Sequence, residues 1–440
     1  MTARREPETA RIHAVSHDGR GIAAIDGKKI FVPGALAGEE VRLQRRKLRR
    51  NFDEADLLEV LEPSPDRITP RCAVFPVCGG CSLQHVPDAQ QREIKQRALE
   101  DNFERIAGTV PERWLPPVFD AEGPWRYRRR ARLAVKDVPA KGRVLVGFRE
   151  RHLPFVTDMR RCEVLAPPLD GLIGDLSELI GRLHVRNRVP QVEVAVGDNA
   201  VELVFRVLAE PSADDRAELM RFAARHELRV ALQPGGLDSI RALYPETPSE
   251  PLYYELPEFG VRMQFEPTDF VQVNGPVNRL MVNFALDLLQ PEPSERVLDL
   301  YCGIGNFSLP LARHAHFVLG IEGEERMVTR AGRNAAANGI DRCAFQTSDL
   351  EALDGREGWV QERWDKVLLD PARSGAAGVI RHMRALGPAR IVYVSCHPGT
   401  LARDTRVLVR EQGYRLEAAG MIDMFPHTAH AEAIAVFSKM

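Results

Sequence analysis

Asp299-Leu300-Tyr301-Cys302-Gly303-Ile304-Gly305-Asn306-Phe307 joins a short apolar run, Arg296–Leu300, to a helix-length segment over 306–314. A Gly-x-Gly turn at such a junction lets the backbone approach a nucleoside with no Cβ in the way. Taken alone, about half of such pairs only mark a tight turn. No third glycine follows at dinucleotide spacing and no Walker lysine is present, which argues against NAD and ATP. Apolar runs at 317–321, 343–346, 366–369 and 390–394, with a helical stretch over 325–338, continue the alternation. From about Asp269 onward this rhythm predicts an α/β, doubly wound parallel sheet. Ligands then bind beyond the carboxyl ends of the strands, so the residues just past each run carry the argument.

Those residues are polar in a pattern. Glu322 closes the second run, about 20 residues past the glycine turn, where an acid suits ribose hydroxyls. Ser348-Asp349 closes the third, placing a carboxylate where an adenine amine could donate. Glu322 alone could equally be a helix cap; polar residues at successive strand ends together read as an S-adenosylmethionine pocket. The fourth run ends in Asp370-Pro371-Ala372-Arg373 and the fifth in Ser395-Cys396-His397-Pro398. A lone cysteine is usually inert packing. Cys396, in a polar turn beside the cofactor crevice, reads instead as a nucleophile, whereas Cys302 and Cys343 read as packing. Glu432 precedes a last apolar strand, 433–437, and is either a solvated cap or a general base. His427 and His430 are alternative bases, each more often structural.

The 440 residues suffice for two or three domains. With 44% hydrophobic and 28% charged residues, the composition is that of a globular protein. No apolar run of about 18 residues suggests a membrane span. The charged start, Met1 to Arg5, lacks the apolar core of a secretory signal, so a cytoplasmic location is expected. Net charge is −2, but acid-free basic runs lie at 42–50 and 126–136, the second beside Trp125 and including Tyr127. Two such runs, one with aromatics suited to stacking, favour RNA contact over merely solvated faces. Strand-like runs at 11–15, 29–32, 40–43 and 55–61 predict a small β-barrel. A helix is expected over 88–106 with Asp88 as a possible cap, and another over 213–226; strands are expected at 144–148, 191–196 and 201–207. Seven cysteines, an odd number, argue against a disulfide framework. Cys72, Cys78 and Cys81 form a C-x5-C-x2-C array with Cys162 downstream, which by itself leaves zinc and an iron–sulfur cluster open.

The blocks DLYCGIGNFSLPLA (299–312), LLDPARSG (368–375), VYVSCHPGTLARD (392–404) and FPHTAHAE (425–432) resemble the signatures of the bacterial uracil-C5 RNA methyltransferases. The resemblance implies a C-terminal Rossmann-like class I methyltransferase domain (263–440) that uses S-adenosyl-L-methionine. It implies Cys396 as the nucleophile and Glu432 as the base that removes the C5 proton. Gln272, Tyr301, Asn306, Glu322, Asp349 and Asp370 would line the cofactor site, and Asp370 and Arg373 would face the target uracil. It tips Cys72, Cys78, Cys81 and Cys162 to a [4Fe–4S] cluster within an α+β central domain (64–262). GRGIA and FVPGALAGE resemble a TRAM domain, an OB-like RNA-binding barrel (1–63). In the family, tRNA enzymes are expected to lack both barrel and cluster, so possession of both resembles the branch acting on 23S rRNA, with no obligate protein partner and a monomeric state. Tyr301 stands where that branch is expected to have Phe. The chemistry accounts for the residue types. C5 of uracil is too weak a nucleophile for a methyl sulfonium until a thiolate has added to C6, and a base must then take the C5 proton so that the thiol can leave. The base must also leave its stack to reach the thiol. The same reaction on tRNA, a non-catalytic RNA-binding protein and a cytosine-C5 enzyme are the competing readings.

Overall fold

In the computed structural model, which describes residues 6–16, 18–247 and 250–440, period-two burial along residues 8–62 closes a barrel; the charged start at 1–5 lies outside the described residues. Its strands are β1 (Glu8–Val15), β2 (Arg20–Ile25), β3 (Lys28–Pro33), β4 (Glu40–Leu48) and β5 (Phe52–Glu62), in the order β1-β2-β3-β5-β4. Ile12, Ala23, Ile30, Val32, Val41 and Leu43 fill the interior. β2 was not expected, because two alanines weaken its apolar signal. Its sequence cue is Asp26-Gly27, both at positive φ, which is the two-residue hairpin turn that pairs Ile25 with Lys28. The first basic run lies on β4, and half its charge is already met by β5. Arg42 pairs with Glu59 (2.8 Å), Arg46 with Glu54 and Asp56 (both 3.1 Å), and Arg45 bridges Asp53 (2.9 Å) and Glu8 (2.8 Å).

The expected helix after the cysteine array runs over Asp88–Asn102 and then widens into a π-type turn, Phe103–Ala107, stopped by Gly108 in the left-handed region. Asp88 does not cap it; Pro87 holds that position and Asp88 supplies first-turn charge. A two-residue strand β6 (Arg113–Trp114) follows. Then β7 (Arg130–Val138), β8 (Arg143–Gly147), β9 (Gln191–Val196), β10 (Val201–Arg206), β11 (Arg229–Gln233) and β12 (Arg241–Tyr244) form a six-stranded sheet, order β12-β11-β10-β9-β7-β8. The second basic run leads into β7, which corrects its reading as an RNA-stacking surface. Arg129 pairs with Asp198 (2.6 Å) and Arg132 with Glu193 (3.0 Å). Tyr127 is buried with its hydroxyl donating to Pro426 O (3.0 Å), and Trp125 stacks on His427 at 3.7 Å. Tyr127 is thus used inside the protein, and Trp125 has one face covered by the histidine.

A hairpin of β13 (Leu252–Leu256) and β14 (Val261–Phe265) leads to the largest sheet: β15 (Arg296–Leu300), β16 (Phe317–Glu322), β17 (Cys343–Thr347), β18 (Lys366–Leu369), β19 (Arg390–Ser395), β20 (Tyr414–Ile422) and β21 (Glu432–Lys439). The order β17-β16-β15-β18-β19-β21-β20-β6 is parallel through the first five strands, as expected of a doubly wound sheet. It departs from that expectation at the far side, where β21 runs antiparallel to both β19 and β20, and β6 caps the border parallel to β20. Side chains alternate between two apolar layers. Val297, Leu368 and Val392 meet the helix Gly275–Leu289, while Leu298, Leu369 and Ile391 meet the helix Pro398–Arg410 together with Leu99 of the helix Asp88–Asn102 and Phe103 of the π-type turn after it. Burial on both faces explains why these strands read as unbroken apolar runs. Among the described residues no helix is long and apolar enough to cross a membrane.

Gly378 marks how tightly the loop after β18 is packed: a Cβ there would collide with Leu350 O and lie 2.8 Å from Glu351 Cα, both backbone atoms. Gly378→Ala is expected to cost about 1–3 kcal/mol, read as a lower midpoint in thermal unfolding.

Candidate active site

The glycine turn is held in shape by backbone bonds to the next strand. Tyr301 N and Cys302 N donate to Ile321 O (2.8 and 3.1 Å), with Tyr301 itself at φ 65°. Gly305, at φ 96°, lies so close to Leu309 that no Cβ fits. Glu322 sits beside the turn. Its Oε2 accepts from Gly303 N (3.1 Å) and its Oε1 from Gly323 N (2.8 Å) and Glu324 N (3.1 Å), leaving one further lone pair, on Oε2. Asp349 is exposed past β17 and accepts from Glu351 N (3.0 Å). Asn306 is engaged: its amide pairs in both directions with Asn278 (3.0 Å each) and accepts from Tyr254 (2.8 Å). Sequence reasoning missed Asp299, the first residue of the same block. It is fully buried in β15, takes the Ser308 hydroxyl on Oδ2, leaves Oδ1 without a partner, and is pushed up to about 7 by burial.

Cys396 and Glu432 meet at the other half of the sheet through register. Antiparallel pairing sets Ser395 opposite Ala433, so the next residues outward, Cys396 and Glu432, lie side by side. Asp370 ends the neighbouring strand β18. Cys396 is half-buried in a cleft of about 480 Å³ shared with Arg373, His397 and His430. Burial pushes its thiol up to about 11, the carboxylates of Glu432 and Asp370 add to the rise, and Arg373 opposes it. Glu432 is buried with Oε2 unpartnered, and burial followed by Asp370 pushes it up to about 8. Asp370 rises to about 7 through burial, against a hydrogen bond from Gln272 Nε2 at 3.5 Å. Three groups that carry negative charge when ionised therefore share one desolvated site. Beside Gln272, Phe270 is 66% exposed, unusual for a phenylalanine on a segment otherwise anchored by buried Asp269. The loop 370–376 is pinned by Asp404, which accepts from Ala376 N and Tyr393 Oη (both 2.8 Å). Both histidines are engaged in the fold. His427 is buried, stacked on Trp125, and contacts Gln91 Nε2 through Nδ1 (3.2 Å), while His430 Nδ1 meets Arg373 (3.0 Å).

Cys72, Cys78, Cys81 and Cys162 line one small cavity with Phe75, Phe148 and Met159. Burial raises the Cys81 thiol to about 12 and that of Cys162 to about 11. Among the described residues, no group of three or more His, Cys, Asp or Glu side chains is set at the distances of a metal-ion site. The cysteine loop also touches the active-site segment: Ser82 N and Leu83 N both donate to His427 O (2.9 Å), and Ala429 N donates to Ser82 Oγ (3.0 Å).

Glu432 yields a signed test. Between its ordinary value of 4.5 and about 8, the folded chain holds a proton that the unfolded chain releases, so stability falls as pH rises through that window. Glu432→Gln is therefore expected to raise the thermal unfolding midpoint, more at pH 8 than at pH 5. An equal gain at both pH values would contradict the buried, raised carboxyl.

Comparison with known proteins agrees with this geometry. Residues 256–440 match the tRNA (Uracil-5-)-methyltransferase family and residues 4–58 the TRAM domain. Over 435 residues, 99% of this chain and 97% of the relative, the sequence is 52% identical to the 23S rRNA (uracil(1939)-C(5))-methyltransferase RlmD of Alkalilimnicola ehrlichii. It is 48% identical, over the same shares, to that of Methylococcus capsulatus. The structure of the Pyrococcus abyssi tRNA (uracil-54, C5)-methyltransferase in complex with S-adenosyl-L-homocysteine aligns with a TM-score of 0.76 at 24% identity, a likeness of fold. That match covers 98% of this chain and 99% of the other, which leaves no room for a missing barrel. A barrel by itself therefore does not mark an enzyme for rRNA rather than tRNA. With near-full-length relatives at about half identity, the chain belongs to the RNA uracil-C5-methyltransferase family and is an S-adenosylmethionine-dependent enzyme.

Proposed function

We propose that this enzyme methylates C5 of a uridine in 23S rRNA, the position its relatives are named for, and that it works as a cytoplasmic monomer. The observation that carries the chemistry is the register that sets Cys396 beside Glu432, with Asp370 on the adjacent strand end. The substrate reading rests on 45–52% identity to enzymes named for 23S rRNA, not on architecture.

When bound, S-adenosylmethionine supplies an electrophilic methyl group. Cys396 gives its proton to solvent in the cleft, and the thiolate's electron pair forms the S–C6 bond to the flipped uracil as the C5–C6 π pair moves onto C5 and O4. Arg373 favours the thiolate by its charge. Once C5 carries the methyl group, Glu432 takes the C5 proton. The C5–H pair then re-forms the C5–C6 bond, and the C6–S pair returns to sulfur. Asp370, whose carboxyl burial pushes up to about 7, faces the uracil edge, to which it can donate when protonated or from which it can accept when ionised. Gln272, Tyr301, Glu322, Asp349 and Asp370 would hold the cofactor directly. Asn306 would act through the shape of the turn, since its amide is already engaged. The segments 1–63, 64–262 and 263–440 would act as RNA-binding barrel, cysteine-bearing domain and catalytic domain.

The four cysteines fit a [4Fe–4S] cluster better than a single zinc ion. Each cluster thiolate binds its own iron and need not converge on one point, as zinc requires at about 2.3 Å. A site closed by four protein thiolates gives a structural or RNA-positioning role.

The test is mass mapping of a 23S fragment and of tRNA after treatment with the enzyme. One added methyl on the rRNA fragment is expected, lost about 10⁴-fold or more with Cys396→Ala. Methylation of tRNA alone would overturn the substrate, and retained turnover in the variant would overturn the nucleophile. For the cluster, anaerobically purified protein is expected to hold about four iron and four sulfide per chain, sharply reduced in Cys81→Ser; zinc in their place would overturn it.

A further inference from the structure

Lys95 lies in the middle of the helix Asp88–Asn102, far in sequence from the catalytic blocks, yet its side chain has no exposed surface. Its ammonium is 2.6 Å from Asp423 Oδ1 and donates to Phe425 O at 2.9 Å. Removing a lysine charge from water is costly, so a buried ammonium needs compensation where it sits. Asp423 supplies one negative partner. The second observation is where that pair lies. β20 and β21 pair Ile422 with Glu432, so Asp423 is the residue just beyond Glu432's own cross-strand partner. The same helix holds the intervening segment through Gln91, which accepts from His427 N (2.8 Å), and lines the Cys396 cleft with Ala98 and Asn102. Positions 91, 95, 98 and 102 recur at helical spacing, so one face of this helix runs from the base of the Glu432 segment to the mouth of the thiol site.

We propose that Lys95 is a positioning residue for the methyl-transfer reaction, its buried ammonium easing ionisation of Glu432 and keeping it seated for removal of the C5 proton. This rests on Glu432 being the base, as argued above. The groups facing Glu432 from the elements packed around it are Asp370 at the end of β18, Cys396 at the end of β19, Asp423 beyond β20 and Lys95 from the helix. The first two bring negative charge when ionised, and Asp423 is matched by Lys95 itself. Lys95 is the cation in this group, and its charge favours the Glu432 carboxylate over the neutral acid. The step it supports balances as before: the proton goes to Glu432, the C5–H pair to the ring, and the C6–S pair to sulfur.

The test follows release of methylated RNA from its covalent complex with the full-length enzyme, across pH, using an unmodified 23S fragment. Lys95→Met/Asp423→Asn removes both charges, so no uncompensated carboxylate is left buried. This double variant is expected to form the adduct normally and to release product roughly ten-fold more slowly at pH 7, recovering when pH is raised by about one unit. Lys95→Arg, which keeps the charge, is expected to retain the wild-type profile. Glu432→Gln, run in parallel, is expected to hold the adduct at every pH. If Glu432→Gln releases normally, the base assignment fails. If it holds the adduct while the double variant keeps the wild-type pH profile, Lys95 serves only Asp423 and the proposal fails alone. A double variant that loses its cooperative thermal transition, or whose slow release does not respond to pH, likewise overturns it in favour of a scaffolding role.

Discussion

Desolvation at the meeting of β18, β19 and β21 organises the catalytic half of this protein. Water would let a thiol and two carboxyls ionise independently. Here burial raises all three and makes each resist the others' charge, so the site favours having few of them ionised at once. That mutual restraint suits a reaction in which a thiolate must form, be consumed and be regenerated while a carboxylate accepts a proton. The surrounding cations, Arg373 towards the thiol and Lys95 towards Glu432, come from different parts of the chain. The antiparallel turn of β21 makes the arrangement possible, since a sixth parallel strand would place its first residue at the opposite end of the sheet.

The site is also a joint between segments. The helix Asp88–Asn102 and the π-type turn that follows contribute Leu99 and Phe103 to an apolar layer of the catalytic sheet, and the cysteine loop donates backbone hydrogen bonds to His427. Trp125 stacks on the same histidine. The segment 423–431 is therefore gripped from the N-terminal side at several points, and its far end is Glu432. The four-cysteine cavity lies one short loop away from the segment that leads to Glu432, Cys81 being followed directly by Ser82 and Leu83.

Much of this was legible in the sequence where local pattern and tertiary role coincide. Strands buried on both faces appear as apolar runs, so 296–300 and 366–369 were placed at their observed bounds. The placement of Cys396 in an open cleft at a strand end was legible, because a thiol in a polar turn after a strand has no packing purpose. What escaped depends on partners distant in sequence. The basic run at 126–136 looks like a phosphate-binding face until Asp198 and Glu193 are seen beside it. Tyr127 and Trp125 look like stacking platforms until Pro426 and His427 cover them. Lys95 is indistinguishable from a solvated helix lysine, because nothing within four residues reveals that Asp423 will meet it. The antiparallel strands β20 and β21 were half visible, as the apolar run 433–437 carries no sign of direction.

The two-residue strand β6 is a small feature with a temporal consequence. An uncovered outer strand offers a ladder of free amides to any passing chain, and proteins shield such borders to avoid clumping. Here the shield, Arg113–Trp114, is encoded about three hundred residues upstream of the strand it covers. A ribosome makes the chain from the N-terminus, so the cover has already emerged when Tyr414–Ile422 leaves the exit tunnel. This border of the catalytic sheet thus has its guard waiting from the moment it is synthesised.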